Sequence, residues 1–255
     1  MESTRPIRAL MRGLDALTVL NLRDGATVSE VAQEIRLPRT TAYRILETLS
    51  LAGYVFRDPG DDRYRLTIMV RALSGGFEDA AWVKRIAQPA IEELSRETGW
   101  PVFVATLAGA KMVIRESTAH GTAPALGRCI AGVRLPLLRS ASGLAYLAFC
   151  QASERATLID LLARSTREED RPARTGRAEL ERTLVGIESE GYATMTQSGR
   201  NLEELGMSVP APLAEGSLAC VTMRFAASAV PFEVARERFL PKLRQCAAGI
   251  SGLTA

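Results

Sequence analysis

The feature that most restricts the fold of this 255-residue chain is a pair of short amphipathic helix patterns separated by a tight break. Thr27 and Glu30 have the spacing of a capping box, in which each side chain bonds a free amide at a helix start. Pro38 opens the second pattern, because a proline in the first helical turn removes no helical hydrogen bond. Apolar residues recur at helical spacing in this second helix at Ala42, Ile45, Leu46 and Leu49, and in an earlier helix at Leu10, Leu14 and Leu17.

The residues after the second helix predict a β-hairpin. Gly53 is suited to end the helix, and two β-rich stretches, 54–57 and 63–66, flank a turn at 58–62. Three helices followed by a hairpin with basic edges form a winged helix-turn-helix. An ordinary polar helical hairpin is the alternative interpretation of the helices alone.

The outward face of the second short helix is typical of DNA contact. In a helix-turn-helix the start of the second helix meets base edges in the major groove, where Arg binds guanine and Thr contacts a thymine methyl or a phosphate. The predicted DNA-contacting residues are Arg39, Thr40, Thr41, Tyr43 and Arg44 of the helix and Arg63 of the wing. Asp61 and Asp62 are expected to point away from the DNA or to steady the turn.

The pattern changes after Ser74-Gly75-Gly76, which is the clearest boundary in the chain. We predict a winged helix-turn-helix domain over 1–76, a helical linker over 77–97 and a larger domain over 98–255. Strands alternate with helices in the larger domain, so its expected class is α+β.

Several elements of the larger domain are expected individually. A stretch of small apolar residues at 141–150 predicts a helix buried against a sheet, and 128–130 predicts a strand. The charged stretch 164–174 is expected to be a solvated loop. Pro231 opens a final helix that Pro241 is expected to break or bend.

Composition excludes several classes of protein. The four cysteines are not at metal-ligand spacing and His120 is the only histidine, so no metal site and no cofactor is expected. Neither a signal peptide nor a membrane span is expected, which favours the reducing cytoplasm. The net charge is only +3, so a nucleic-acid surface must be local. Apart from three lysines every cation is Arg, which suits phosphate and guanine but also follows from GC-rich codons.

Together these stretches resemble the IclR family of bacterial transcriptional regulators, over nearly the whole chain. The resemblance is carried by residues 37–46 of the second short helix, Gly53-Tyr54-Val55, Tyr64-Arg65-Leu66, Leu135-Pro136-Leu137, Gly143 and Gly191-Tyr192. The stretches 65–68, 141–144 and 147–150 are most similar to a subgroup that contains activators of hydroxyphenylpropionate catabolism.

The resemblance implies a GAF-like effector domain that binds a small organic acid. The family's pocket motif falls on Ser140, Ala141 and Ser142 at a helix start, where outward amides favour an anion. Two further strands of the family place pocket residues at Ser208, Thr222 and Arg224. The family also implies homodimers or tetramers.

Departures from the family pattern argue against carrying over glyoxylate or pyruvate recognition. Leu138 stands where a His is common, and Arg224 stands where a small polar residue is common. We hypothesise that Arg224 or Arg139 clamps the carboxylate of a larger, aromatic acid. The alternative is that both arginines belong to the surface or to an interface.

A catalytic role is not expected, because no nucleophile or base with an orienting partner can be assembled from the sequence. Ser140 to Gly143 is not a nucleophile elbow, and 127–132 lacks the Lys of a phosphate-binding loop. The expected function is a transcriptional regulator of a catabolic operon, in which the effector changes either DNA affinity or contact with RNA polymerase; the subgroup resemblance favours activation. Its expected partners are double-stranded operator DNA, an organic-acid effector and further copies of the chain. The alternative is a ligand-sensing or interaction protein that does not bind DNA.

Overall fold

A computed structural model describes residues 6–23, 25–73, 81–119, 129–198 and 203–254. The chain divides into two compact units, Met1–Glu78 and Asp79–Ala255. Among the described helices, none combines the length and the apolar character needed to span a bilayer.

The first unit contains three main helices and a two-stranded hairpin. Its elements are α1 (Arg8–Asn21), α2 (Val28–Glu34), α3 (Arg39–Leu51), β1 (Val55–Arg57), β2 (Tyr64–Leu66) and α4 (Met69–Ala72). The capping box is present, because the Glu30 amide donates to Thr27 Oγ1 (3.3 Å) and the Thr27 amide donates to Glu30 Oε2 (2.8 Å). Pro38 precedes α3, as predicted.

The apolar face of α1 differs from the one that the leucine spacing predicts. Leu10 and Leu14 are 60% and 54% exposed, whereas Ala16, Val19 and Leu20 are buried. The buried residues also recur at i, i+3 and i+4, so α1 has two apolar faces and sequence periodicity does not separate them.

The second unit is built on one antiparallel sheet. Its strand order is β5-β4-β3-β8-β7-β6, so that β5 and β6 form the edges. The strands are β3 (Val102–Ala108), β4 (Lys111–Ser117), β5 (Arg134–Pro136), β6 (Ala193–Ser198), β7 (Glu203–Pro212) and β8 (Leu218–Ala226). The helices are α5 (Gln88–Thr98), α6 (Ala141–Phe149), α7 (Ala152–Ala163), α8 (Arg171–Thr175), α9 (Arg177–Glu190) and α10 (Phe232–Thr254).

Helices cover both faces of this sheet. Alternate side chains of a strand point to opposite faces, so Val102 and Val104 pack in the core with α5 and α10. Phe103 and Ala105 pack in the core with the helices α6 to α9. The predicted α+β class is therefore confirmed, with one hydrophobic core on each face.

The predicted helix at 141–150 lies on this second face as α6. Every residue from Ala141 to Ala148 is buried. A Cβ at Gly143 would overlap the backbone carbonyl of Leu137, so glycine lets the start of α6 approach the preceding turn closely.

Two expectations for the second unit are wrong, and a third is wrong in part. The stretch 164–174 is partly helical and buries Asp170 and Ala173. Helix α10 continues through Pro241, so the expected break is not there. Cys129 and Ile130 are not in a strand, while Arg128 lies outside the described residues. The described part of the predicted linker contains a π-helical turn, Val83–Ala87, and most of α5, and both pack within the second unit.

Candidate nucleic-acid interface and effector cavity

Helix α3 presents an exposed polar face at its start. Its inward residues Ala42 and Leu46 are fully buried, which turns the intervening side chains outward. Arg39, Thr40, Tyr43 and Arg44 are exposed and Thr41 is half-buried. Within the described residues, Arg39 and Arg44 make no ion pair.

The structure places Arg63 differently from the sequence prediction, in which the wing presents it to the phosphate backbone or the minor groove. Its guanidinium donates to Glu30 Oε2 (3.0 Å) and to the Gly25 carbonyl (3.1 Å). The carboxylate that caps α2 is close to β2, so it draws the Arg63 cation inward. Arg63 therefore ties the hairpin to α2 rather than extending from the wing.

The acidic residues of the hairpin turn stabilise the turn, which is one of the two outcomes expected for Asp61 and Asp62. Asp61 binds the Arg65 guanidinium (2.6 Å), and this hydrogen bond is the main reason why the pKa of Asp61 is lowered. Asp62, at φ +60°, pairs with Arg57 and raises the pKa of that guanidinium through the hydrogen bond. Asp58 accepts from the Gly60 amide (2.9 Å).

A buried tyrosine joins the wing to α3. Tyr64 is fully buried on β2, and its hydroxyl donates to Glu47 of α3 (2.5 Å). Burial, followed by the hydrogen bond to Glu47, raises the pKa of Tyr64 to about 12. The hairpin and α3 are therefore held together by a polar contact as well as by apolar packing.

Arg36 lies in the turn between α2 and α3, and sequence reasoning did not single it out as a candidate site residue. It is exposed and has φ +52°, a left-handed conformation that is uncommon for a residue with a side chain. The Leu37 amide bonds the Ala32 carbonyl (2.9 Å) across this turn. The only sequence signal was its place between the two helix patterns.

In the second unit, most of the predicted effector residues surround a small cavity between the start of α6 and the sheet. Its volume is about 20 Å³, which is about the room for one water molecule. Its described lining residues are Phe103, Cys129, Leu135, Ser140, Ala141, Ser142, Met195, Gln197, Gly206, Thr222 and Arg224.

Ser140 caps α6 at the cavity wall. Its hydroxyl accepts from the Gly143 amide (3.1 Å) and donates to the Pro136 carbonyl (2.7 Å). The buried Ser142 hydroxyl lies 3.4 Å from Ser140 Oγ. These hydroxyls and the first amides of α6 form the polar end of the cavity, where the helix dipole favours negative charge.

Arg224 is the single charged residue among the described residues that line the cavity. It forms an ion pair with Glu204, donates to Gln197 Oε1 (3.2 Å) and contacts the Cys129 sulfur. Glu204 is 1% exposed. Sequence reasoning gave Glu204, Gln197 and Cys129 no role.

Two predicted effector residues do not line the cavity. Ser208 is buried behind it and accepts a hydrogen bond from Thr222 (2.9 Å). Arg139 is exposed and faces a separate cleft, while its carbonyl accepts from Gln197 (3.0 Å). Arg139 ends a 3-10 turn and lines the separate cleft rather than the cavity, so the structure does not support it as a clamp.

A larger cleft of about 890 Å³ lies toward the other end of α6. Arg85, Arg115, Tyr146 and Glu154 are among its lining residues. The predicted effector residues do not line it, and the Tyr146 hydroxyl is already bonded to Glu154 (2.8 Å). We therefore place the candidate effector site at the smaller cavity.

The described ranges contain no group of three or more His, Cys, Asp or Glu side chains placed to hold a metal ion. His120 and the glycine-containing segment up to Arg128 lie outside the described residues.

Comparison with known protein families accounts for both units. Residues 9–59 match the IclR helix-turn-helix domain, and residues 79–252 match the C-terminal domain of the bacterial transcriptional regulator IclR. The chain belongs to the IclR family. IclR-family proteins are DNA-binding transcriptional regulators with a C-terminal ligand-binding domain, and they are not enzymes.

Individual relatives agree with this assignment. The chain is 24% identical over 249 residues to the HTH-type transcriptional regulator TsaQ1/TsaQ2 of Comamonas testosteroni, which covers 96% of this chain and 87% of that protein. The Thermotoga maritima IclR structure matches with a TM-score of 0.64 at 21% identity, covering 98% of this chain and 99% of that one. These similarities show the shared IclR fold.

A third neighbour was solved with an aromatic acid. It is an IclR homolog from Microbacterium hydrocarbonoxydans complexed with 4-hydroxybenzoate, with a TM-score of 0.60 and 23% identity. The match covers 96% of this chain and 98% of that chain.

Proposed function

We propose that this IclR-family regulator binds a specific operator through the start of α3 and that a small aromatic acid controls this binding. The observation that carries the proposal is the exposed face of α3, where Arg39 and Arg44 make no ion pair within the described residues. Thr40, Thr41 and Tyr43 complete the proposed DNA contacts. Cations without protein partners are available to phosphates and guanines.

Arg63 stays a candidate only for an indirect contribution. Because it is paired with Glu30, it can position the hairpin relative to α2 and α3. Direct contact with phosphate would require breaking that pair.

The cavity beside α6 is the proposed effector site, formed by Ser140, Ala141, Ser142, Thr222 and Arg224 with Ser208 behind it. Its polar end suits a carboxylate, and Phe103, Leu135 and Met195 offer apolar surface to a ring. The 4-hydroxybenzoate bound by the Microbacterium homolog supports this ligand class. Resemblance to the hydroxyphenylpropionate subgroup favours activation of a catabolic operon, with contact to RNA polymerase.

The proposed mechanism is linkage between the two sites. In a homodimer or tetramer, two α3 helices read half-sites about 34 Å apart or a multiple of that spacing. An effector that binds one arrangement of the subunits more tightly than another changes the population that fits the operator.

Gel-shift titration of the DNA upstream of the gene and its neighbours, at low salt, tests the proposal. A specific shift that 4-hydroxybenzoate or a related acid alters is the expected result. A shift that no acid alters would contradict control of operator binding by an aromatic acid. No shift by folded protein would favour the alternative, a ligand-sensing protein without DNA binding.

A further inference from the structure

Glu204 is a buried carboxylate beside the proposed effector cavity. It begins the buried part of β7, and residues two apart on a strand share a face, so Glu204 is on the same face as Gly206. Gly206 lies directly opposite Arg224 in the pairing of β7 with β8. Because glycine has no side chain there, the Arg224 side chain can lie over β7, where it pairs with Glu204 and reaches Gln197 of β6.

The charge of Arg224 is balanced inside the protein. A carboxylate that is 1% exposed needs an opposite charge or several hydrogen bonds to stay ionised, and the Arg224 ion pair supplies the charge. Other N–H groups of the guanidinium meet Gln197 and Cys129. A ligand therefore meets an ion pair in this wall of the cavity rather than a lone cation.

The small volume of the cavity also limits how a ligand can reach Arg224. Arg224 and Gln197 both line a cavity that has room for about one water molecule. An organic acid can enter only if side chains of this wall move. A carboxylate that reached Arg224 would also approach Glu204, and like charges that share one partner disfavour each other.

We propose that Glu204 is a specificity-determining residue, because it competes with the effector carboxylate for Arg224. This competition lowers the binding free energy that a ligand gains from its carboxylate alone. Binding then requires an acid whose apolar body contributes through Phe103, Leu135 and Met195. The selected ligands are aromatic or similarly apolar monocarboxylates rather than small acids such as acetate. This inference rests on the proposed function, in which an acid enters this cavity.

Isothermal titration calorimetry on the full chain tests the proposal, with 4-hydroxybenzoate and its neutral amide, 4-hydroxybenzamide, as probes. Glu204→Gln keeps the shape and removes the charge. We expect it to bind 4-hydroxybenzoate about tenfold more tightly than the unsubstituted protein does, with little change for the amide. Acetate affinity should rise in the same variant.

Glu203→Gln is the matched control, because Glu203 is the exposed neighbour of Glu204 on β7. It removes the same charge from the opposite face of the strand and should bind the acid as the unsubstituted protein does. Equal or weaker binding of the acid by Glu204→Gln would overturn the proposal, and so would an equal gain in Glu203→Gln.

A second comparison applies if Glu204→Gln folds poorly. Arg224→Gln should lose affinity for 4-hydroxybenzoate because Glu204 is left without its cation, and the double variant Arg224→Gln/Glu204→Gln should recover part of that loss. Without any recovery, Glu204 has no influence on the ligand and the inference is wrong.

The proposed function and the proposed role of Glu204 can be contradicted independently of each other. Identical acid binding in all these variants would overturn the role of Glu204 while the gel shift still supports effector control. A tenfold gain in Glu204→Gln together with no operator binding would support Glu204 and overturn the proposed function.

Discussion

The start of α3 and the cavity beside α6 use arginine in opposite ways. Arg39 and Arg44 are exposed and make no ion pair within the described residues, whereas the Arg224 side chain is 14% exposed and paired with Glu204. An exposed cation keeps its hydration until a ligand arrives, but a buried one needs a protein partner to stay charged. The comparison teaches that an arginine predicts an anion site more directly at the surface than in a core.

The largest expected effect is the loss of stability in Arg224→Ala. Removing the partner of a buried carboxylate costs about 3–5 kcal/mol, so the free energy of unfolding should fall by that amount. Urea denaturation measures it. The double variant Arg224→Ala/Glu204→Gln, which leaves no uncompensated charge, should be clearly more stable than Arg224→Ala. Undiminished affinity of Arg224→Ala for aromatic acids would remove Arg224 from the effector site.

Gly143→Ala tests the close packing at the start of α6, which forms the cavity wall without an ion pair. The new Cβ overlaps the Leu137 carbonyl, and overpacking of this kind costs about 1–3 kcal/mol. Thermal unfolding should show a lower midpoint. Gly186→Ala is the matched control, because an added Cβ there in α9 meets nothing within 4 Å and alanine favours a helix. A midpoint for Gly143→Ala equal to that of Gly186→Ala would contradict the close approach.

Arg44→Ala tests the exposed side of the comparison. We expect it to lose about 1–3 kcal/mol of operator-binding free energy, with effector affinity and unfolding unchanged. Gel shift and calorimetry measure the two affinities. Arg63→Ala is the informative partner variant, since its cation is bound to Glu30 and its effect on operator binding should be smaller. An equal loss of operator-binding free energy in both variants would indicate that Arg63 is part of the DNA interface.

The smallest effect concerns pH and the capping box. The pKa of Glu30 is lowered from 4.5, first by the hydrogen bond from the Thr27 amide. Its contribution to stability is therefore present above pH 4.5 and is lost as the pH falls through the lower pKa of the folded state. Glu30→Gln should reduce this acid sensitivity by less than about 1 kcal/mol. Urea titrations across this pH range measure the effect, and an unchanged acid sensitivity in Glu30→Gln would contradict it.

The sequence predicted features that depend on local chemistry. The capping box, the start of α3 after Pro38 and the buried helix α6 are fixed by hydrogen bonds and periodicity within a few residues. The exposed polar face at the start of α3 follows from the same local periodicity. Ser140, Ala141 and Ser142 are pocket candidates through the resemblance to the IclR family.

Features that depend on contacts between elements were not predicted. Glu203 and Glu204 look alike in sequence, and only the pairing of β7 with β8 shows that the second one faces a buried guanidinium. The sequence pattern predicts Arg63 on the wing surface, because it does not show that Glu30 lies close to the hairpin. The charge of the stretch 164–174 predicts a loop, because sequence alone does not show that Asp170 is buried there.

The absence of a side chain at Gly143 also determines which wall of the cavity can yield. The start of α6 rests against the Leu137 carbonyl with no compressible side chain between them, so this helix has little freedom to retreat from a ligand. Arg224 and Gln197, on the opposite wall, can change rotamer without moving backbone atoms. In the proposed complex, a bound acid is therefore accommodated by side chains of β6 and β8 rather than by movement of α6.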